Sequence, residues 1–294
     1  MTRQPLRNLQ IAGAIALLAL AGCGAPAPTP APAAERCIDL ATSHAVGLSW
    51  SQSGTFLGIG MVGPDGSPSA KVVDSEGRSA RPPIALEDLL PASVVVAPTG
   101  RLAWLERRGS TTTLVEDRAD GLERTLLPEG VEGVGWTAIG FALLQHPADG
   151  GSRILNLDVD RPDAPTISYA TDLEVERLWI SADPEHMVLT IVHRDHHDAP
   201  ATFQVIGAKT EHHLEPAGAD ASGASMPSLR RWVVYRSVAS SRIEAMSVLD
   251  GATTVVLTDR AAERGMVSDR GVLAYVPLEP YGQVCLVDVS AKLP

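Results

Sequence analysis

The sequence predicts an all-β protein, a six-bladed β-propeller of four-stranded blades. Beyond residue 36, short apolar runs alternate with turns rich in Gly, Pro, Asp and Ser, and no stretch keeps a helical period. This is typical of many short strands. One unit of an aromatic or apolar residue, a turn and successive strands recurs six times, so the 258 residues from 37 to 294 give about 43 residues per unit. Four-stranded propeller blades run about 40–45 residues. The alternative, a β-sandwich of loosely similar hairpins, has no reason to repeat at one period.

The chain begins with a segment, residues 1–22, that predicts export. Arg3 and Arg7 precede an uncharged apolar run at 11–20, which is too short to span a bilayer but fits the h-region of a signal peptide. The next letters, "LAGC", resemble the lipobox of a bacterial lipoprotein. That resemblance implies that Cys23 is lipidated and becomes the mature N-terminus, with more than one acyl chain, as stable anchoring requires. An ordinary signal peptide followed by a chance cysteine is the alternative.

Residues 23–36 predict a tether between this anchor and a folded domain at 37–294. The stretch "GAPAPTPAPAAE" contains four prolines and no large apolar side chain, so it cannot bury a core and should form an extended spacer. Gly24, rather than an aspartate, follows the lipobox cysteine, which favours the outer membrane or cell surface over the inner membrane.

Each repeat can be anchored at the turn that follows its first strand. The anchors, 40–46 residues apart, are Gly54, Gly100, Gly140, Glu185, Arg231 and Gly271. Turns such as "WSQSG" and "VAPTG" resemble degraded forms of the Ser-Pro-Asp-Gly turn in TolB-like propeller repeats. The sequence lacks the "GH…WD" signature of WD repeats, which favours the six-bladed TolB-like relatives. This resemblance covers most of residues 45–290.

The two chain ends predict how the ring closes. The sixth unit ends shortly after its third strand, "QVCLVDV", and therefore lacks a fourth, whereas "RCIDLAT" at 36–42 is a strand without a blade. Pairing the two removes exposed sheet edges. It also places Cys37 and Cys285 on neighbouring strands, which predicts a disulfide in the oxidising compartment. Two buried thiols are the alternative; a metal site made of these cysteines alone would be two ligands short.

The net charge argues against partners that require a basic protein surface. The net charge is −11, and it becomes −13 without residues 1–22, which carry two arginines and no acid. Nucleic-acid phosphate and anionic lipid headgroups both require a basic surface, so we expect no nucleic-acid partner and no polybasic membrane patch.

Histidine is unevenly distributed, with six of the eight between 186 and 213. The stretch "HRDHHDAP" offers imidazoles and carboxylates, the ligand types for zinc, nickel or copper. The candidate metal ligands are His193, Asp195, His196, His197 and Asp198. A hairpin tip also collects polar residues simply because water is there, so this cluster has a solvent-exposed interpretation as well.

Other motifs favour structural explanations. "GIGMVG" at 58–63 has the letters of a dinucleotide-binding motif, but it lies within a predicted strand and no helix follows, so close strand packing explains the glycines better. The sequence contains no nucleophile elbow, zinc-protease helix or phosphate loop. Scattered carboxylates are expected to bond their own backbone in turns; they are Asp65, Asp117, Asp120, Asp149 and Asp250.

The sequence therefore favours a lipid-anchored envelope lipoprotein that works as a non-catalytic binding platform for an envelope protein or peptide, with no cofactor. The alternatives are an envelope enzyme, a hydrolase or lyase acting at the propeller funnel, and a metal-binding surface protein using the fourth blade. A propeller fold by itself does not choose among these functions.

Overall fold

The computed structural model describes residues 34–90, 93–158, 161, 164–180, 186–191, 200–220, 222–227 and 231–293. Within these ranges the regular structure is β-strand, apart from a 3-10 turn at Ser290–Lys292. The same ranges hold no helix with the length and apolar character needed to cross a bilayer. The strands form six antiparallel sheets arranged as the blades of a propeller. The predicted all-β, six-bladed fold is therefore confirmed.

In five blades the strand nearest the ring centre comes first and later strands lie progressively outward, except that the outermost strand of blade 6 is the first strand of the chain. In blade 5 a single bridging residue takes the innermost position. Blade 1 contains β2 (His44–Trp50), β3 (Phe56–Val62), β4 (Pro68–Asp74) and β5 (Ile84–Ala85). Blade 2 contains β6 (Val95–Val96), β7 (Leu102–Arg108), β8 (Thr111–Arg118) and β9 (Gly121–Leu126). Blade 3 contains β10 (Val131–Trp136), β11 (Gly140–Gln145), β12 (Ser152–Asp158) and β13 (Thr166–Thr171). Blade 4 contains β14 (Val175–Ile180), β15 (Met187–Ile191), β16 (Thr202–Gly207) and β17 (Thr210–Leu214). Blade 5 contains β18 (Trp232–Arg236), β19 (Ile243–Ser247) and β20 (Thr254–Val256). Blade 6 contains β21 (Ala262–Val267), β22 (Val272–Pro277), β23 (Gln283–Asp288) and β1 (Arg36–Asp39).

The inner position of blade 5 is held by a single bridge. Ser225 and Val234 exchange both backbone hydrogen bonds, at 2.9 and 2.7 Å. The fully buried Ser225 side chain also accepts a hydrogen bond from the backbone N–H of Val267 in blade 6, at 3.2 Å. Blade 5 thus keeps the four-stranded plan with its first strand reduced to one bridging residue.

The ring closes as predicted. β1 pairs with β23 in antiparallel register, with Cys37 opposite Cys285, so the first described strand of the chain completes the last blade. Cys37 and Cys285 form a disulfide across this pair, 248 residues apart in sequence. The edge of β23 is therefore covered by β1, and the two ends of the propeller are covalently joined.

Three of the repeated turns, at Gly54, Gly100 and Gly271, share one hydrogen-bond pattern; Gly140 instead begins β11, and its N–H donates to the Thr137 hydroxyl. The N–H of Gly54 donates to the carbonyl of Ser51 at 2.8 Å, and Gly271 makes the same contact with Ser268 at 3.0 Å. Both glycines have positive φ, 63° and 76°, which side chains with a Cβ tolerate poorly. The buried Ser51 and Ser268 hydroxyls accept hydrogen bonds from backbone N–H groups of the following residues. This pattern is the physical basis of the predicted repeat.

The core lies between the blades. Each of the six described clusters of buried apolar side chains combines residues of two neighbouring blades. Both faces of a middle strand are therefore covered, and β15, Met187–Ile191, is buried at every position. The outermost β9 of blade 2 is exposed at five of its six positions. Middle strands with continuous apolar runs and polar outer strands follow from this arrangement.

Close packing between blades explains the glycines of the "GIGMVG" stretch. Gly58 and Gly60 lie in β3, and a Cβ at either position would come within 3.2 Å of Val96 or 3.0 Å of Val94 in blade 2. These distances are too short for a methyl group to be added without movement of the neighbouring blade. Strand packing accounts for these glycines.

Two of the five predicted turn carboxylates, Asp65 and Asp250, accept hydrogen bonds from backbone N–H groups of their own turns, whereas Asp149 pairs with the Arg153 side chain. Asp250 accepts hydrogen bonds from the N–H groups of Thr253 and Ala252, both at 3.0 Å, and these bonds hold the pKa of this exposed carboxyl below its usual value. A depressed pKa in the folded state adds stability above the carboxyl's ordinary pKa, and that stability is lost as the pH falls. The prediction was wrong for Asp117, which lies inside β8 and forms an ion pair with Arg81 of the 75–83 loop.

Candidate functional site

The innermost strands surround a central channel. Residues of all six blades line a cavity of about 140 Å³. We define the upper face as the side where the inner strands begin, at His44, Val131, Val175 and Ala262. The lower face is the side where they end. Concave cavities with a few polar groups are the usual location of ligand sites.

Tryptophans and a crossing hydrogen bond characterise the lower half of the channel. Trp50, Trp136 and Trp179 all line the cavity. The Trp50 indole N–H donates to the carbonyl of Met266 in blade 6 at 3.0 Å. The Gln52 side chain donates to the carbonyl of Trp136 at 2.6 Å and so connects blade 1 with blade 3, which is not its neighbour. This bond spans part of the lower end of the channel.

Four inner strands carry an irregularity at the same place near the upper face. The pairing register shifts across Val46 in β2, Glu132 in β10, Glu176 in β14 and Glu263 in β21. An extra residue of this kind is a β-bulge, which bends the strand and redirects side chains, often beside a functional site. Three of the four bulged positions are glutamates, so the upper end of the channel has a recurrent acidic position.

The bulge of blade 6 anchors a polar group between blades 6 and 1. The Glu263 carboxylate lies 3.1 Å from the Nε2 of His44 and 2.6 Å from the guanidinium of Arg264. The same guanidinium donates to the carbonyl of Val46. The His44 ring stacks on Tyr281 with its centroid 5.0 Å away. These contacts hold Arg264 at the wall of the channel.

The bulge of blade 3 makes a related set of contacts. Arg107 of blade 2 donates to the Glu132 carboxylate at 3.1 Å and to the carbonyl of Val131 at 3.2 Å. His146 lies 3.9 Å from the other side of that carboxylate. In blade 4, by contrast, the nearest ion-pair contact between Arg177 and Glu176 is 3.8 Å long. The glutamates of blades 3 and 6 therefore have cationic partners closer than the one in blade 4.

The described channel lining contains two arginines, Arg177 and Arg264, and one aspartate, Asp269. The part of this lining that the structure describes includes neither a histidine nor a pair of carboxylates. Acid–base hydrolysis generally uses such groups within hydrogen-bond reach of each other. The two guanidinium groups and the tryptophans of this lining are groups that can hold a ligand.

Sequence analysis missed these channel residues. The signal was available as a recurrent pattern, an apolar residue, glutamate, and then glycine or arginine, in "VEG", "VER" and "AER" at the starts of three inner strands. Its importance depends on the β-bulge, and a bulge is visible only once the pairing register is known.

The predicted disulfide has a polar neighbourhood of its own. Cys37 is exposed, Cys285 is buried, and the Arg260 guanidinium lies 3.5 Å from both sulfur atoms. Arg260 also contacts Glu35, as does the Tyr275 hydroxyl. Among the described residues, Glu35 and the two sulfurs come close enough to resemble a metal site. Because both sulfurs are in the disulfide and Arg260 is a cation, this group is better suited to structure than to metal binding.

The remaining predicted site residues lie outside the described ranges. They are Cys23, His193, Asp195, His196, His197 and Asp198. Two further histidines of blade 4, His212 and His213, are exposed neighbours on β17 and therefore point to opposite faces of the strand. His213 forms a contact with Glu215 at 3.3 Å.

Comparison with known proteins finds structural similarity without sequence similarity. No protein-family model matches the chain, and no curated protein matches it. TolB from Acinetobacter baumannii is similar with a TM-score of 0.57 and 16% identity over 79% of this chain, which spans 57% of that protein. The Cps50 (Swd1) β-propeller domain of Myceliophteria thermophila is similar with a TM-score of 0.53 and 15% identity, over 83% of this chain and 82% of that one. Hydrazine synthase from Kuenenia stuttgartiensis is similar with a TM-score of 0.51 and 12% identity, over 90% and 98%.

These similarities show the fold. The TolB-like propeller architecture predicted from the turn sequences has a counterpart among the solved structures. Identities of 12–16% indicate shared architecture, and a propeller supports many unrelated functions. Function has to be argued from the residues of the channel and the upper face.

Proposed function

We propose that this protein is a lipid-anchored envelope lipoprotein whose propeller is a non-catalytic platform for an envelope protein or peptide, bound at the upper face. The observation that carries the proposal is the composition of that face. It combines the end of the channel next to Arg177 and Arg264 with exposed apolar side chains in the surrounding loops. Apolar groups rimmed by polar ones are characteristic of protein interaction sites.

The strand order places several exposed apolar residues in loops of the upper face. Loops that follow a blade's second or last strand return to the upper face, because the strands are antiparallel. Among the described residues, four large apolar side chains in such loops are exposed: Leu173, Val238, Leu278 and Tyr281. The lower-face loops that are described expose Ile139 and Leu249.

The disulfide supports an exported location for the proposal. Disulfides form and persist in oxidising compartments, and they are rare in the bacterial cytosol. Together with the signal-peptide and lipobox letters at 1–23, the Cys37–Cys285 pair supports an extracytoplasmic protein held by lipid at Cys23. A dozen extended residues at about 3.1 Å each would place the domain on the order of 35–40 Å from the lipid.

The anchor is tested by Cys23→Ser. We expect the variant to lose lipid labelling and to leave the membrane fraction, because Cys23 is the proposed attachment site of the acyl chains that hold the protein at the membrane. Metabolic labelling with a fatty acid and cell fractionation measure both effects. A matched Cys37→Ser variant should still be labelled. Retention of Cys23→Ser in membranes would refute the anchor.

Site-specific crosslinking in intact cells tests the platform, since a partner should attach to the upper face.

A further inference from the structure

Two channel arginines occupy equivalent positions in two blades. Arg177 in β14 and Arg264 in β21 each follow a bulged glutamate directly, and both line the channel. The Nε atom of each is buried and has no hydrogen-bond partner. The side chains as a whole stay partly exposed, at 38% for Arg177 and 26% for Arg264. The terminal N–H groups of the guanidinium, rather than the buried Nε, are therefore the donors that a ligand in the channel can reach.

Among the described residues, the Arg177 guanidinium has fewer close polar contacts than that of Arg264. Its contact with Glu176, at 3.8 Å, is longer than a hydrogen bond. Two other arginines also have a buried Nε without a hydrogen bond, Arg81 and Arg118, but each has a carboxylate oxygen within 2.5 Å. Within the part of the chain that the structure describes, Arg177 therefore keeps guanidinium donors that an anion could use.

Arg264 is held in place and keeps donors for a ligand. One terminal nitrogen donates to the carbonyl of Val46 and the other to Glu263 at 2.6 Å, and each of these nitrogens has a second N–H. In blade 5, next to the blade that carries Arg177, a Cβ at Gly223 would lie 3.3 Å from the Cβ and Cγ of Arg177. Glycine at this position leaves room for the Arg177 side chain against blade 5.

The residues around the two arginines indicate the charge of the ligand and the nature of its uncharged part. The described lining carries a formal charge of +1, from two arginines and one acid, Asp269. Glu176 and Glu263, next to the arginines in sequence, add negative charge outside that lining. A monoanion therefore fits this charge balance better than a phosphate dianion. Trp50, Trp136 and Trp179 supply aromatic surface in the same cavity, which favours an organic body.

We propose that the channel binds a small organic monocarboxylate, with its carboxylate accepting hydrogen bonds from Arg177 and Arg264 and its apolar body packed against the channel tryptophans. Guanidinium groups are well matched to carboxylates. This site goes beyond the proposed platform, because a small acid can occupy the channel whether or not a protein binds the upper face.

Benzoate and benzamide test the proposal, because they have the same shape and differ in charge. The purified full-length protein is titrated with each, and with inorganic phosphate, by calorimetry and by tryptophan fluorescence. Three of the five tryptophans line the channel and should report occupancy. We expect saturable benzoate binding, with benzamide and phosphate at least about tenfold weaker.

Variants assign the binding to the arginines. Arg177→Gln should weaken benzoate binding by about tenfold to a hundredfold, the usual range for a charged hydrogen bond. Arg264→Gln should also weaken binding, and its thermal unfolding is measured because Arg264 contacts Val46 and Glu263. Arg153→Gln is the matched control, because Arg153 pairs with Asp149 and is absent from the described channel lining.

The proposal is overturned by any of four results. These are no saturable benzoate response up to about 50 mM, equal affinity for benzamide, tighter binding of phosphate, or wild-type benzoate affinity in Arg177→Gln. None of these measurements involves a membrane or a protein partner, so their failure would leave the proposed platform function standing.

Discussion

Replacing both Cys37 and Cys285 with alanine is expected to lower the free energy of unfolding by about 5 kcal/mol. The disulfide closes a loop of 248 residues, and in the chain-entropy model a crosslink stabilises by restricting the unfolded chain, more so for longer loops. Domains are typically stable by about 5–15 kcal/mol, so the loss would be a large part of the total.

Urea unfolding of three samples measures this effect: oxidised wild type, reduced wild type and the double variant. Reduced wild type and the variant should unfold at similar, lower urea concentrations, and reducing agent should not affect the variant. If oxidised wild type and the variant unfold at the same urea concentration, the disulfide does not stabilise the ring in this way.

Removing β1 is expected to have the second large effect. A chain of residues 44–294 lacks the strand that pairs with β23, so the backbone edge of β23 would be exposed. It also lacks Ile38 and Leu40, which belong to the buried cluster between blades 6 and 1. Open strand edges pair with other chains. We therefore expect 44–294 to form oligomers or aggregates.

The matched control is a chain of residues 34–294, which keeps β1 and the disulfide. It should elute as a monomer from size-exclusion chromatography and unfold cooperatively. The full-length Cys37→Ala/Cys285→Ala variant, which keeps β1 without the crosslink, should also be monomeric, and this separates strand pairing from the disulfide. A monomeric 44–294 of wild-type stability would contradict closure by β1.

The fold could be predicted from the sequence because the same local chemistry recurs. The glycine turns at Gly54, Gly100 and Gly271 all have positive φ. Because this backbone conformation favours glycine, glycine recurs at the same position of these repeats. Closure of the ring could also be predicted by counting strands. The sixth repeat lacks a fourth strand, and the segment before the first repeat contains one extra strand. Blade 5 was predicted least well, since Ser225 alone bridges at its inner position and no strand-length pattern marks it.

The site could not be predicted in the same way. Arg177 and Arg264 belong to different blades, and they line one channel only because the ring closes. Nothing in either local sequence indicates that the two side chains share one cavity. The predicted lipidation of Cys23 and the predicted metal ligands at 193–198 lie outside the described residues and stay predictions. Calorimetry with zinc or nickel addresses the latter.

The central claim, a platform that binds its partner through the upper face, is tested most directly by photocrosslinking in intact cells. A photoreactive amino acid replaces either Tyr281 on the upper face or Leu249 on the lower face, which are matched in exposure at 75% and 77%. The account predicts a discrete crosslinked partner from position 281 and none from position 249. Equal crosslinking at both positions, crosslinking from 249 alone, or no adduct at either would contradict it.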